Sequence, residues 1–150
     1  MLACACSAGP AFEGGEISCG MRAATGAIDE VRIDGQSLTP IFKVIGNTKP
    51  RGICGSGIID LIAEMFLKGI IDMKGKINQS VKSDRIRFNH HIGCFEYVVA
   101  HGSETKDGLD ITLNEIDIDN FLRAKGAVYS GTKTLLNNVG IGISDIDKVI

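Results

Sequence analysis

A nearly unbroken apolar helix pattern over residues 58–71 constrains the fold of this chain more than any other feature. Its only polar side chains are Asp60, Glu64 and Lys68, which are spaced four residues apart and therefore share one narrow helix face. The rest of the helix surface is apolar. This pattern predicts a helix that is buried on most sides by other layers of the domain.

The same helix begins on three small residues, Gly55, Ser56 and Gly57. Ser56 is the predicted N-cap, and Gly69 is the predicted C-cap. A small-residue helix start leaves backbone N–H groups open at the positive end of the helix dipole, where a phosphate can bind. The lysine of a G-x-x-x-x-G-K-[ST] loop is missing, which excludes P-loop chemistry. A phosphate-binding turn and a plain cap both remain open at this point.

Strand and turn patterns flank this helix. Val31 and Ile33 alternate with charged residues, and the Asp34-Gly35 turn leads to a β-branched run over residues 41–45, which predicts a hairpin. A second hairpin is predicted from residues 85–88 and 95–102.

Three further elements are predicted with weaker signals. Residues 109–112 favour a short strand, and residues 17–21 favour one helical turn. The final residues, SDIDKVI, favour the start of another strand.

Residues 114–140 carry the pattern of a long helix. Asn114 and Asp117 resemble a capping box, and Gly140 ends the pattern. The apolar positions at helical spacing are Ile118, Phe121, Leu122, Val128, Leu135, Leu136 and Val139. A separate small-residue strip admits either a neighbouring backbone or a flat ligand, and it consists of Ala124, Ala127 and Gly131. The element order predicts an α/β fold with a mixed sheet, with α+β as the alternative.

Composition and charge narrow the function classes. The chain has 150 residues, enough to bury a core, and its formal net charge is only −2, which argues against nucleic acid or an anionic membrane as the main partner. No apolar stretch approaches the roughly 18 residues of a membrane span. The five cysteines include no CxxC pair, which favours free thiols in a reducing cytoplasm.

The sequence contains few candidates for metal binding or catalysis. A four-thiolate site could draw on Cys4, Cys6, Cys19 and Cys54, but they form one tight pair only, so buried free thiols are favoured. His90-His91 lies in a predicted turn without zinc-protease spacing. Glu13 is a single carboxylate near glycines. We therefore predict no catalytic residue and no metal ligand in this chain.

Three stretches together resemble one protein family. They are residues 6–28 (CSAGPAFEGGEISCGMRAATGAI), 50–72 (PRGICGSGIIDLIAEMFLKGIID) and 117–150 (DIDNFLRAKGAVYSGTKTLLNNVGI, ending in DIDKVI). They resemble the C-terminal domain of the ferredoxin-fused reductive activators of corrinoid proteins. This family belongs to the ASKHA superfamily of acetate and sugar kinases, heat-shock chaperones and actin. The resemblance covers nearly the whole chain and is least distinctive over residues 74–101.

The resemblance implies both a fold and an activity. The fold is part of an RNase-H-like, actin-like ATPase half with a mixed sheet, two main helices and hairpins. The activity of the whole protein is ATP- and Mg²⁺-dependent transfer of one electron from a [2Fe–2S] domain to a corrinoid methyl-carrier protein, which returns its cobalt from Co(II) to Co(I). This chain would supply nucleotide-cradle scaffold and partner surface in a cytoplasmic protein of an anaerobe.

The resemblance also implies nucleotide-binding residues. Gly55, Ser56 and Gly57 would face the phosphates, so Gly57→Val is expected to put a branched side chain where the phosphates approach. The comparison with heat-shock chaperones implies that the long helix turns four residues toward adenosine: Arg123, Lys125, Gly126 and Ser130.

Several family features are missing from residues 1–150. The Asp-Ile-Gly-Thr phosphate hairpin is expected before Met1 and the Gly-Gly adenosine turn after Ile150, and the cysteine pattern of the ferredoxin is absent. We therefore expect a single domain that is a fragment of a larger ASKHA-type region. Alone, it is expected to bind ATP weakly or not at all and to carry no [2Fe–2S] cluster.

Two other functions remain open. One is an ASKHA activator for another low-potential acceptor, of the dehydratase-activator type, whose [4Fe–4S] cluster needs paired cysteines that this chain lacks. The other is a non-enzymatic binding module. The expected partner is the corrinoid methyl-carrier protein, with a homodimer left open and with neither nucleic acid nor membrane as a partner.

Overall fold

A β-hairpin forms the base of the first sheet in the computed structural model, which describes residues 3, 5, 9–13 and 15–148. Strand β1 (Ala27–Ile33) pairs antiparallel with β2 (Pro40–Val44), which confirms the predicted hairpin. In the turn, the Asp34 carboxylate accepts the backbone N–H of Ser37 at 2.7 Å. Strand β3 (Gly52–Ile53) joins the other edge of β1 in parallel, so the sheet is mixed, with the order β2-β1-β3.

Helix α1 (Gly55–Leu67) packs one face against this sheet. The side chains that are fully buried on that face are Ile58, Leu61 and Met65. On the other face, Ile59, Phe66 and Leu67 are 47%, 51% and 73% exposed. The prediction of a helix buried on most sides is therefore wrong. Because the sheet covers only one side of α1, apolar residues on the other side reach the surface.

Both ends of α1 differ slightly from the predicted caps. The N-cap is Cys54 and not Ser56, since the backbone N–H of Cys54 donates to the Ile28 carbonyl at 3.0 Å and holds Cys54 in an extended conformation. Ser56 lies inside the first turn. At the other end Lys68 is the C-cap, and Gly69 follows it with a φ of +69°, a left-handed conformation that favours glycine.

The polar face of α1 contacts β1. Because β3 pairs only with the first two residues of β1, the N–H groups farther along that edge need other acceptors. The Glu64 carboxylate accepts the N–H of Ile33 at 3.0 Å, and the Asp60 carboxylate accepts that of Val31 at 3.3 Å. Helix α1 therefore completes the hydrogen bonding of the open edge of β1.

The second sheet is antiparallel and contains β4 (Ile86–Asn89), β5 (Cys94–Ala100) and β6 (Ile111–Asn114), in the order β4-β5-β6. The second hairpin and the short third strand are confirmed, although β6 begins two residues later than predicted. Tyr97 of β5 is fully buried, and its hydroxyl donates to the Leu38 carbonyl in the β1–β2 turn at 2.8 Å. This bond connects the two sheets.

Helix α2 (Glu115–Val139) begins and ends as the sequence predicts. The Asn114 side chain accepts the N–H of Asp117 at 2.9 Å, and the Asp117 carboxylate accepts that of Asn114 at 3.2 Å, which completes the capping box. Gly140 follows the helix with a φ of +71°. Two positions predicted to be core, Val128 and Val139, are 40% and 46% exposed. The second half of α2 is thus less buried than its periodicity predicts.

The remaining predictions concern the two ends of the chain. Residues 17–21 form a hydrogen-bonded turn and no helix, with the Gly20 N–H donating to the Ile17 carbonyl at 2.9 Å. Residues 143–145 form a 3₁₀ helix, so the described part of the last segment is not a strand. Cys4, Cys6 and residues 149–150 lie outside the described residues. The α/β class, the mixed sheet, the two main helices and the hairpins are confirmed.

Candidate functional site

The first turn of α1 presents backbone donors at its surface. The N–H of Ile58 donates to the Cys54 carbonyl at 2.9 Å and is the first N–H to bond within the helix. Among the described residues, none accepts a hydrogen bond from the N–H groups of Gly55, Ser56 or Gly57. Ser56 is exposed, and its hydroxyl lies 3.3 Å from the Cys54 thiol. Unpaired N–H groups at a helix start suit an anion chemically.

Gly57 has a packing role in this turn. A Cβ atom there would collide with the Ile28 carbonyl oxygen and would lie 2.7 Å from Cγ2 of Ile53. Its missing side chain therefore points into the first sheet and not toward a ligand. The expectation that Gly57→Val fills a phosphate site is wrong for this reason: the valine would collide with β1.

The four α2 candidates lie on two different faces of the helix. Arg123, Gly126 and Ser130 share an exposed face at i, i+3 and i+7, and a Cβ on Gly126 would meet nothing within 4 Å. Arg123 pairs there with Asp119 at 2.7 Å. Lys125 points elsewhere, because successive helix residues are rotated by about 100°. The four side chains therefore do not share one face of this helix.

Lys125 lines a groove between the two helices, which we call the α1–α2 groove. Its volume is about 430 Å³, and its walls are mostly apolar. The lining includes Ile59, Phe66, Ile71, Met73, Leu122 and Lys125. Of the predicted nucleotide-binding residues on α2, Lys125 is thus the one that the fold brings beside α1.

A polar cleft of about 250 Å³ lies on another part of the surface. Its lining includes Ser18, Cys19, Arg51, Thr105, Asp107 and Thr112. Burial raises the pKa of the Cys19 thiol to about 12, and the Asp117 carboxylate adds to this effect. The thiol is therefore protonated near neutral pH, which disfavours it as a metal ligand or nucleophile.

Ser18, which lines the polar cleft, is held by a contact between residues far apart in the sequence. The Asp117 carboxylate, besides capping α2, accepts the N–H and the hydroxyl of Ser18 at 2.8 and 2.6 Å. The Asn114 amide in turn donates to the Ser18 hydroxyl at 3.1 Å. A capping box is visible in the sequence, but a partner 99 residues away is not.

The other titratable candidates do not converge in the described part of the chain, where no three His, Cys, Asp or Glu side chains are close enough to hold a metal ion. Cys54 is buried, and Cys19 and Cys94 are partly buried free thiols. His90 packs edge-on against Phe88 at a ring distance of 5.0 Å, and Glu13 is exposed. Neither helix has the length and apolar character needed to cross a bilayer, considering the described residues alone.

Comparison with known proteins finds relatives whose names agree, since both are named as activators of corrinoid proteins. The corrinoid activation enzyme RamQ of Eubacterium limosum is 35% identical over 147 residues, which cover 95% of this chain and 24% of RamQ. A solved structure, the reductive activator for corrinoid, iron-sulfur protein, is 46% identical and superposes with a TM-score of 0.91 over 97% of this chain and 23% of that chain. The chain thus spans about a quarter of the length of each of these relatives.

A family model described as the C-terminal domain of RACo, the ASKHA domain, matches residues 1–150. The match covers the whole chain and agrees with the mixed sheet, the two helices and the hairpins described above. The chain therefore belongs to the family of C-terminal ASKHA domains of RACo.

Proposed function

We propose that this chain is part of an ATP-dependent reductive activator that returns the cobalt of a corrinoid protein from Co(II) to Co(I). The observation that carries the proposal is the 46% identity to a reductive activator for corrinoid, iron-sulfur protein over 97% of this chain. The chain spans about a quarter of that relative, and the proposal assigns the electron-donating iron–sulfur centre and most of the nucleotide site to other parts of an intact protein.

The first turn of α1 is the part of this chain that we assign to the nucleotide phosphates. Its support is the exposed Ser56 and the N–H groups of residues 55–57, which have no acceptor among the described residues. ATP with Mg²⁺ would supply the free energy for an uphill electron transfer. The chain contributes positioning and positive electrostatic potential from the helix dipole.

ATP titration into the intact protein tests this assignment. Ser56→Asp puts a carboxylate where the phosphate is proposed, while favouring the helix through its dipole. We expect ATP affinity to fall about tenfold or more through charge repulsion, with no loss of thermal stability. Ser80→Asp, at an exposed turn, is the matched control and should leave ATP affinity unchanged. Equal ATP affinity in both variants would remove the first turn of α1 from the nucleotide site.

Anaerobic absorbance spectroscopy tests the activity itself. With a corrinoid protein in the Co(II) state and a chemical reductant, the intact protein should produce Co(I) only when ATP and Mg²⁺ are present. Reduction at the same rate without ATP would contradict the proposed coupling. The isolated 150-residue chain is expected to bind ATP far more weakly than the intact protein, because the family's two other nucleotide loops are not in its sequence.

A further inference from the structure

The loop between β5 and β6, residues 101–110, is closed tightly on itself. A Cβ atom on Gly102 would collide with the Gly108 carbonyl oxygen, so the two ends of the loop touch there and leave no room for a side chain. The Asp110 carboxylate accepts the N–H of Gly102 at 2.7 Å. Thr105 is buried, and its hydroxyl donates to the Gly102 carbonyl at 3.0 Å. The loop therefore has a defined shape of its own.

The end of this loop is fixed to the second sheet by charged hydrogen bonds. Arg87 of β4 donates from Nη1 to Asp110 at 2.8 Å and from Nε to Glu96 of β5 at 2.7 Å. Glu96 is only 2% exposed and also accepts the Asn89 amide at 2.9 Å. Because a buried carboxylate is costly without its partners, this network keeps Arg87 in place beside the loop.

The middle of the loop contacts the segment that precedes β3. The backbone N–H of Lys106 donates to the carbonyl of the buried Pro50 at 2.9 Å. The Lys49 ammonium donates to the Ser103 carbonyl at 3.0 Å. The loop thus connects the second sheet to residues 49–51.

Only a short stretch of chain separates this segment from the first turn of α1. Arg51 lies 3.7 Å from the Asp107 carboxylate of the loop, and its backbone N–H donates to the Gly26 carbonyl at 2.8 Å. Strand β3 follows directly, and Cys54, the N-cap of α1, comes next. A shift of residues 49–51 would therefore reach the start of the helix within three residues.

We propose that loop 101–110 is a positioning element for the first turn of α1, because it sets where residues 49–51, and with them β3 and the N-cap, lie relative to the second sheet. The inference rests on the proposed function, in which that turn meets the nucleotide phosphates. Hydrogen bonds from backbone N–H groups weaken steeply as distance and angle become unfavourable. A displaced loop should therefore lower ATP affinity without touching the nucleotide.

The test combines ATP titration and amide hydrogen exchange on the intact protein. Gly102→Ala forces the loop to shift, since the new Cβ collides with backbone. The hydrogen-bonded amides of Ile53, Cys54 and Ile58 should then exchange about tenfold faster. ATP affinity should fall about tenfold, which corresponds to the loss of one hydrogen bond to a charged group.

Two further variants separate the contact to residues 49–51 from a general effect on folding. Lys49→Met with Asp107→Asn removes two side-chain contacts and leaves the closure of the loop intact, so both readouts should change in the same direction by about threefold. The matched control is Lys106→Ala, which shortens an exposed side chain but keeps the backbone N–H that donates to Pro50. It should behave as the wild type does in both measurements.

The possible outcomes separate the inference from the proposed function. If the wild-type protein binds ATP and the folded loop variants bind it equally well, the loop has a structural role only, and the inference is overturned while the proposed function stands. If ATP affinity falls but the three amides exchange as in the wild type, the loop does not act through the first turn of α1, and the inference is again overturned. If the wild type itself does not bind ATP, the proposed function fails.

Discussion

The Glu64 carboxylate of α1 accepts a hydrogen bond from the backbone N–H of Ile33 in β1 at 3.0 Å, on an edge where none of the described strands pairs with Ile33. Glu64 is only 8% exposed, and its other oxygen lies 3.3 Å from the Arg32 guanidinium. The N–H of Ile33 holds the pKa of this carboxyl below its usual value, with a further contribution from Arg32. A helix side chain here takes the place of a missing strand.

Replacing Glu64 tests this role. Glu64→Leu leaves the buried N–H of Ile33 without an acceptor, and we expect it to lower the free energy of unfolding by about 1–3 kcal/mol. Glu64→Gln keeps an acceptor oxygen and should cost clearly less. Urea titration of the 150-residue chain measures both, with exposed Ser80→Ala as the control. A similar loss for Leu and Gln would show that the hydrogen bond to Ile33 contributes little.

The raised pKa of the Cys19 thiol is expected to make the stability of the fold depend on pH in the alkaline range. Its folded-state pKa of about 12 lies above the usual thiol value of 9.0, so the unfolded chain loses this proton first. The contribution of Cys19 is fully present below pH 9 and is lost as the pH rises toward 12. Urea titrations at increasing pH should show this decline, and Cys19→Ala should make it shallower. An unchanged slope in the variant would rule out Cys19 as its source.

Substitution by alanine is expected to change the stability in opposite directions at Gly57 and at Gly126. A Cβ at Gly57 collides with the Ile28 carbonyl, so Gly57→Ala should destabilise the fold by about 1–3 kcal/mol through overpacking. A Cβ at Gly126 meets nothing within 4 Å, so Gly126→Ala should stabilise α2 by about 0.5–1 kcal/mol. Thermal unfolding of the two variants gives the comparison. Two variants of equal stability would contradict the packing of Gly57 against β1.

Ser18 and Asp117 form a pair suited to a double-mutant cycle. Ser18→Ala removes the 2.6 Å hydroxyl bond to Asp117, and Asp117→Asn weakens both that bond and the cap of α2. We expect each change to lower stability by about 1–2 kcal/mol, with a coupling energy of at least about 0.5 kcal/mol. Additive effects would mean that the two residues act independently. Chemical denaturation of the four proteins provides the measurement.

Local signals predicted much of the fold. The α2 capping box is set by residues three positions apart, and Gly140 ends the helix through its own backbone preference, so both could be identified from the sequence. The first hairpin follows from the strand pattern around Asp34-Gly35 in the same way.

The predictions that the structure contradicts concern contacts between residues that are far apart in the sequence. The N-cap of α1 is Cys54 because Ile28, 26 residues away, binds its backbone and thiol, and nothing local reveals this. The Asp60 and Glu64 carboxylates of α1 accept hydrogen bonds from the backbone N–H groups at the edge of β1. Apolar residues on another face of α1 are therefore exposed and line the α1–α2 groove. Gly57 looks like part of a phosphate loop in the sequence, and only its distance to Ile28 reveals that it is also a packing residue.

The hydrogen bond from the Tyr97 hydroxyl to the Leu38 carbonyl restricts which side chains position 97 can accept without a loss of stability. Phenylalanine would preserve the aromatic volume at position 97, and a hydropathy scale scores that replacement as harmless. In this fold it would remove the hydroxyl that donates to the turn carbonyl of Leu38 from the opposite sheet, at 2.8 Å. An apparently conservative exchange at position 97 would therefore leave the turn without its hydrogen bond to the second sheet.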